Sequence, residues 1–231
     1  MHTSQMLRIC LIAPACLTLA ACAIPQTPYR IVYEDPVNYV HLESDDAVLP
    51  EWPPGHHSHP KDISPEDVRQ ILTGLAVQDH RIWLQKWIQG EAPMVPVFRD
   101  DEIALLAPQI AEAFAAAHYN ERVTFYLSQP QTSAKRVITT GGLYIRESEL
   151  HIILGNWQIT YGIPLYGMIY DRRYPMRPTV AKGFDLFFQP SDAVIRQSSS
   201  LWDTLLANNK DELVINIDQL KFSDVATSIS H

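Results

Sequence analysis

All three cysteines of this chain lie within its first 22 residues, at Cys10, Cys16 and Cys22. Residues 23–231 contain no thiol, so that part of the chain can form no internal disulfide, no cysteine nucleophile and no Cys-ligated zinc site. Its fold must be held together by apolar burial and hydrogen bonding. The 231-residue chain is long enough to bury such a core without covalent cross-links.

The first 22 residues have the layout of an export signal. Met1–Arg8 carries one positive charge and no acid, and Ile9–Leu19 is apolar apart from one threonine. That run has about the length of a signal h-region and is too short to span a membrane. It ends in Leu19-Ala20-Ala21-Cys22, which resembles the Leu-small-small-Cys box of bacterial lipoproteins.

The resemblance implies a thioether-linked lipid on the Cys22 sulfur, cleavage before this residue and acylation of the new amino terminus. Residues 1–21 are then the signal peptide, and residues 22–28 are the lipidated cysteine and its tether. In lipoproteins of Gram-negative bacteria, aspartate after the cysteine usually retains the protein in the inner membrane. Ala23 stands here, so the resemblance favours the periplasmic face of the outer membrane. The alternative is an ordinary secretory signal with Cys22 incidental.

The chain is acidic, with a formal net charge of −8 at pH 7, and removal of Arg8 with the signal makes the balance one unit more negative. An acidic domain is a poor binder of nucleic acid and does not favour anionic lipid head groups. The expected partners are the membrane, through the lipid, and an envelope protein or an anionic envelope component.

We expect residues 29–231 to form a single α+β domain, with a largely antiparallel sheet and two principal helices. Ser64 is typical of a helix N-cap, Pro65 of the first helical position and Gly74 of a helix end. A second apolar stripe predicts a helix over residues 100–117, kinked at Pro108. The strand candidates are Tyr29–Tyr33, Tyr39–Leu42, Val123–Leu127, Val137–Thr140, Leu143–Arg146, Leu150–Leu154, Tyr166–Tyr170, Phe184–Phe188, Val194–Arg196 and Leu213–Ile217.

Residues 29–60 are rich in proline, which precludes long regular elements. We interpret their two β-like pieces as strands added at the edge of the domain. A disordered linker up to Pro60 is the alternative, although the aromatic and β-branched content argues against it.

Three features have both a structural and a functional interpretation. Trp83 and Trp87, in a stretch that fits neither helix nor strand, could mark a partner surface, but buried core aromatics are the commoner arrangement. Gly141-Gly142 indicates a bend at a strand start. His151 points away from the apolar face of its strand, so we expect it to be solvated rather than catalytic.

The segment His56-His57-Ser58-His59 contains the one local cluster of metal-ligand types. On an extended chain only His57 and His59 point to the same side, and Asp62 could supply a third ligand. We expect instead a solvated loop leading into the first helix, and we expect no metal and no cofactor.

The segment 171–178 places three arginines in a proline-containing loop of an acidic protein. Arg172, Arg173 and Arg177 around Tyr174 suit an anionic partner, because guanidinium forks bind carboxylates and phosphates. Pairing of these arginines with the domain's own acids is the more common arrangement.

The sequence carries no G-x-S-x-G elbow, no phosphate-binding glycine loop and no H-E-x-x-H helix. We therefore expect a non-enzymatic envelope lipoprotein that serves as an interaction or assembly component. The alternative is a periplasmic hydrolase whose site is assembled by the fold and recruits the histidine cluster, since members of a catalytic triad need not be neighbours in sequence.

Overall fold

A computed structural model describes residues 27–81, 83–132, 135–162, 172–173, 175–179, 182–196 and 212–220. The signal peptide, Cys22, Tyr174 and the strand candidate Tyr166–Tyr170 lie outside these residues. No helix in the described ranges is long and apolar enough to cross a membrane.

The described residues form an α+β fold, as the sequence predicts, with two antiparallel sheets. The large sheet has the strand order β1-β2-β5-β6-β7-β10-β9, and the small sheet has the order β4-β3-β8. The strands are β1 (Tyr29–Glu34), β2 (Tyr39–Ser44), β3 (Leu75–Asp79), β4 (Met94–Pro96), β5 (Glu121–Thr132), β6 (Lys135–Arg146), β7 (Glu149–Gly162), β8 (Phe184–Phe188), β9 (Val194–Arg196) and β10 (Glu212–Asn216); the helices are α1 (Pro65–Gly74), α2 (Trp83–Gln89) and α3 (Asp100–Ala116).

The two longer helices begin where local chemistry favours them. The Ser64 hydroxyl accepts a hydrogen bond from the Asp67 amide at 3.1 Å, which caps α1. At α3, the Glu102 carboxylate accepts from the Arg99 amide at 2.9 Å, and three acids occupy the first turn, where they complement the helix dipole. Pro108 lies inside α3, which runs on to Ala116.

Both helices contribute to one core cluster with one face of the large sheet. Val40 and Leu42 of β2 belong to this cluster, together with the apolar faces of α1 and α3. Strand β1 is the outermost strand, as expected for an edge element, but β2 pairs with both β1 and β5 and is therefore interior. The prolines of residues 29–60 thus flank two paired strands.

Gly141-Gly142 does not lie at a strand start as predicted, because β6 runs through both glycines. The pairing of β6 with β7 does shift register between Thr140 and Gly141. Glycine stands at both positions because other atoms of the protein lie close to the backbone there. A Cβ on Gly141 would lie 2.3 Å from the Ile153 carbonyl oxygen, and one on Gly142 would lie 2.4 Å from the Met176 sulfur. At Gly141 the close atom belongs to the backbone and leaves no room for a side chain, whereas at Gly142 the Met176 side chain would have to move.

Candidate functional site

The face of the large sheet that points away from the helices is polar and aromatic, yet buried. Antiparallel sheets commonly leave one face to water, and alternation along the strands predicts that arrangement. Here the residues that alternate with the core are largely shielded from solvent. They include Tyr39, His41, Glu43, Thr124, Tyr126, Thr140, Tyr144, His151 and Glu212. We call this surface the polar face.

The histidine segment is inserted beside β6 instead of forming the solvated loop that we expected. The pairing of β5 with β6 begins at Val123 and Leu143, which leaves Ile145 without a β5 partner. Residues 58–59 take that place: the Ser58 amide donates to the Ile145 carbonyl at 2.7 Å, and the Ile145 amide donates to His59 Nε2 at 3.1 Å. His57 and His59 are consequently buried.

His59 is held as a neutral imidazole. Its Nε2 must keep a lone pair to accept from the Ile145 amide. Burial, and after it the neighbouring His57, lowers the pKa of His59 to about 4. This histidine therefore serves as a fixed hydrogen-bond acceptor in the sheet.

His57 belongs to a separate ion-pair network. Its Nε2 donates to Asp45 Oδ2 at 3.2 Å, and the Arg122 guanidinium lies 3.5 Å from Asp45 Oδ1. Burial alone would raise the pKa of Asp45, but the His57 hydrogen bond and the Arg122 charge lower it to about 2. Asp45 is therefore a permanent carboxylate partner for His57.

The metal hypothesis placed His57 and His59 together with Asp62. The two imidazole rings do lie close, with centroids 5.5 Å apart, whereas Asp62 is exposed. Each Nε2 atom is engaged by a protein group, as described above. Over the described ranges, no group of three or more His, Cys, Asp or Glu side chains is placed to hold a metal ion.

A second buried network joins three strands of the polar face. The Tyr144 hydroxyl donates to Glu212 Oε1 at 2.5 Å, and His151 Nδ1 donates to the same oxygen at 2.9 Å. Burial, followed by the bond to Glu212, raises the pKa of Tyr144. The Tyr144 ring also stacks on His151, with centroids 4.4 Å apart. Our expectation that His151 is solvated is wrong, because β10 brings a buried carboxylate to it.

A column of stacked rings crosses β1, β2 and β5 at the other side of this face. His41 lies between Tyr29 and Tyr39, at centroid distances of 4.7 and 4.0 Å, and Tyr39 stacks on Tyr126 at 5.4 Å. The Arg172 guanidinium covers the rings of Tyr126 and Tyr39, 4.8 and 5.5 Å from their centroids. The Tyr39 hydroxyl donates to the Arg172 carbonyl.

A cavity of about 160 Å³ opens beside this column. We call it the Arg172 pocket. Its described lining consists of Thr27, Tyr29, Glu34, Tyr39, His41, Glu43, Arg172 and Arg173.

The structure thus brings two of the predicted interaction residues, Arg172 and Arg173, to one cavity. Arg177 is not part of its described lining, and Tyr174 lies outside the described residues. The backbone around Arg177 is tied down instead: Asn156 Nδ2 donates to the Arg177 carbonyl at 3.0 Å. The predicted four-residue interaction loop is therefore divided, with Arg172 and Arg173 at the pocket.

The two tryptophans that we expected to be buried are the most exposed large hydrophobic residues of the described part of the chain. Trp83 is 78% exposed, Trp87 is 82% exposed and Ile88 is 67% exposed. All three lie on α2, which forms in the stretch that the sequence left open between helix and strand. We call these three side chains the α2 apolar surface.

Comparison with known proteins found no matching family model, no similar curated protein and no similar solved structure.

Proposed function

We propose that this protein is a lipid-anchored component of the bacterial envelope that acts by binding, and that the α2 apolar surface is where it meets a partner protein. Exposed tryptophans on one short helix carry this proposal. Contiguous apolar surface is rarely left in water without a binding role, and tryptophan is enriched among residues that dominate interface energies. The lipoprotein-like Leu19–Cys22 box supports a lipid anchor, and Ala23 after it favours the periplasmic face of the outer membrane.

The chain enters the large sheet at one end. Tyr29 is the first residue of β1 and follows directly on the proposed tether. It pairs with Glu43, which in turn pairs with Arg122 at the start of β5. A tether of this length spans on the order of 20 Å when fully extended. The Tyr29 end of the domain would therefore lie near the membrane.

Helix α2 follows β3 of the small sheet, which packs against the large sheet near the end opposite to Tyr29. Trp157 packs on Phe184 with ring centroids 5.9 Å apart, and Phe184 pairs with Asp79, four positions before α2 begins. Across the large sheet, successive strand pairings connect Glu34 of β1 to Tyr39, Tyr126, Thr140 and Asn156, the residue before Trp157. Because Tyr29 is the first residue of β1 and Glu34 is the last, Asn156 and Trp157 lie about the length of β1 away from Tyr29. This placement favours a partner protein over the anchoring bilayer as the occupant.

Three of the four buried histidines of the described residues support a binding role over a hydrolase that recruits the histidine cluster. His57 is engaged by Asp45, His59 by the Ile145 amide and His151 by Glu212. A catalytic base needs a ring nitrogen within reach of its substrate proton, usually in a cleft. In this protein these nitrogens hold chain segments together.

Replacing both tryptophans, as in Trp83→Ser with Trp87→Ser, should abolish partner recovery without unfolding the protein. The test isolates tagged full-length protein in mild detergent and quantifies co-isolated envelope proteins against wild type. We expect at least a tenfold loss of one specific protein. The melting temperature should be nearly unchanged, because exposed substitutions usually alter stability by no more than about 0.5 kcal/mol.

Trp52→Ser is the matched control, because Trp52 is 62% exposed and lies in a different part of the chain. It should leave recovery of that protein unchanged. Equal recovery from wild type and the double variant, or equal loss in the control, would contradict the proposal.

The anchor has its own test. Cys22→Ser should abolish incorporation of labelled fatty acid, because the lipobox resemblance assigns the thioether to this sulfur and no other cysteine follows it. The measurement is radiolabelled palmitate incorporation followed by gel separation of the mature protein. Undiminished labelling of the Cys22→Ser protein would show that the chain is not anchored in this way.

A further inference from the structure

We infer that the domain rests on its anchoring bilayer through an aromatic surface beside the tether, and that this surface enters the lipid interface. The surface is formed by Leu49 and Trp52, from the loop of residues 45–57, and by Tyr119 just before β5. Their exposed fractions are 51%, 62% and 39%. We call these three side chains the tether-side surface. The inference rests on the lipid anchor proposed above and adds which part of the domain meets the membrane.

The three side chains form one surface because His56 joins them. His56 Nε2 donates to the Leu49 carbonyl at 3.2 Å, and its ring lies on that of Tyr119 with centroids 4.2 Å apart. The Trp52 amide donates to the same Leu49 carbonyl at 3.0 Å. Apolar residues scattered singly are ordinary on a protein surface, whereas a contiguous group indicates a contact surface.

The tether-side surface lies where the tether enters the domain. Pro28, the last residue of the tether, accepts a hydrogen bond from the Ser44 amide at 3.0 Å. The loop begins at the next residue, Asp45, whose amide donates at 2.7 Å to the carbonyl of Asn120, the neighbour of Tyr119. Since the tether reaches no further than about 20 Å when fully extended, this surface stays beside the bilayer. Lipid is therefore favoured over a partner protein as its occupant.

The residue types of the tether-side surface suit the membrane interface. Tryptophan and tyrosine are enriched at this depth, because each ring combines an apolar body with one hydrogen-bonding group. Residues 49–54 are all exposed, and Glu51 is the only charged side chain among them. Asp46 is the other exposed charge of the loop, so anionic head groups would not attract it. The loop therefore meets lipid by apolar burial.

The test uses the full-length, lipidated protein in vesicles of phosphatidylcholine that contain a radiolabelled photostable tracer of the same lipid. A photoreactive amino acid at position 52 should give at least tenfold more lipid adduct than the same probe at position 87, which lies on α2. Leu49→Asp should lower the yield at position 52 at least fivefold, because it charges the tether-side surface. Ile88→Asp is the matched control and should leave that yield unchanged. Phosphatidylglycerol in the vesicles should not raise it.

Flotation of the vesicles separates this inference from the anchor on which it rests. A protein that does not float with the lipid lacks the anchor, and both proposals then fail. A protein that floats but gives no lipid adduct at position 52, or equal adducts at positions 52 and 87, overturns this inference alone. An adduct at position 52 only with a second copy of the chain does so too, as does a discrete protein adduct from that position in intact cells.

Discussion

Lowering the pH from 7 to 4 should reduce the free energy of unfolding by about 3 kcal/mol through His59 alone. The folded-state pKa is about 4, below the ordinary value of 6.5, so the unfolded chain binds the extra proton first. The stabilisation is complete above pH 6.5 and is lost as the pH falls toward 4. The physical reason is that protonation removes the acceptor used by the Ile145 amide.

The measurement is urea denaturation of the wild-type protein and of His59→Gln at pH 7, 6, 5 and 4. Glutamine offers an oxygen to the Ile145 amide and does not titrate, so the slope of stability against pH should flatten in this variant. His118→Gln, at an exposed imidazole, is the control and should retain the wild-type slope. Identical slopes for wild type and His59→Gln would show that residues 58–59 are not built into the sheet.

Gly155→Ala should destabilise the protein by about 1–3 kcal/mol, the usual range for forcing extra volume into packed structure. A Cβ at this position would lie 2.4 Å from the Pro175 carbonyl oxygen and 2.8 Å from the Met176 carbonyl carbon. These contacts are with backbone atoms, so no side chain can rotate away. The segment that contains Pro175 and Met176 must therefore shift away from β7.

Thermal melting of wild type and of the variant measures the effect. Gly183→Ala is the matched control, because a Cβ there meets no atom within 4 Å. That variant should melt as wild type does. If Gly155→Ala also matched wild type, the segment 175–177 would not lie against β7 in the way described.

The sequence predicts the fold well where the signal is local. The cap at Ser64 and the apolar stripe of α3 depend on residues within a few positions of each other, and both helices form as expected. Alternation likewise identifies most strands of the large sheet and their core-facing residues, but it divides β6 into two strands and misses β3 and β4. It does not reveal what covers the other face, which is why His151 was wrongly expected to be solvated.

The candidate sites depend on contacts between distant parts of the chain. His59 meets Ile145, and Arg172 meets Tyr39, pairs separated by 86 and 133 positions. Rules based on sequence spacing relate residues only a few positions apart, so they do not predict these contacts. The residue types on the outward side of β2, Tyr39 and His41 among them, are the one local signal, because the solvated face of an antiparallel sheet usually carries polar residues.

The exposed tryptophans show a different limit. The separation of Trp83 and Trp87 by four positions suits one face of a helix, and this helix forms. The spacing predicts that the two tryptophans share one face of the helix, but it does not predict whether other parts of the protein cover that face. The assumption that large aromatics are buried therefore failed at α2, which leaves Trp83, Trp87 and Ile88 exposed.

The central claim, that α2 meets a partner protein, is tested most directly by photo-cross-linking in intact cells. A photoreactive amino acid at position 87 of the full-length protein should yield one discrete adduct with a different envelope protein. The same probe at position 52 should not yield it, and Ile88→Asp should abolish it by charging the α2 apolar surface. An adduct only with lipid, an adduct only with a second copy of this chain, or no adduct at position 87 would contradict the claim.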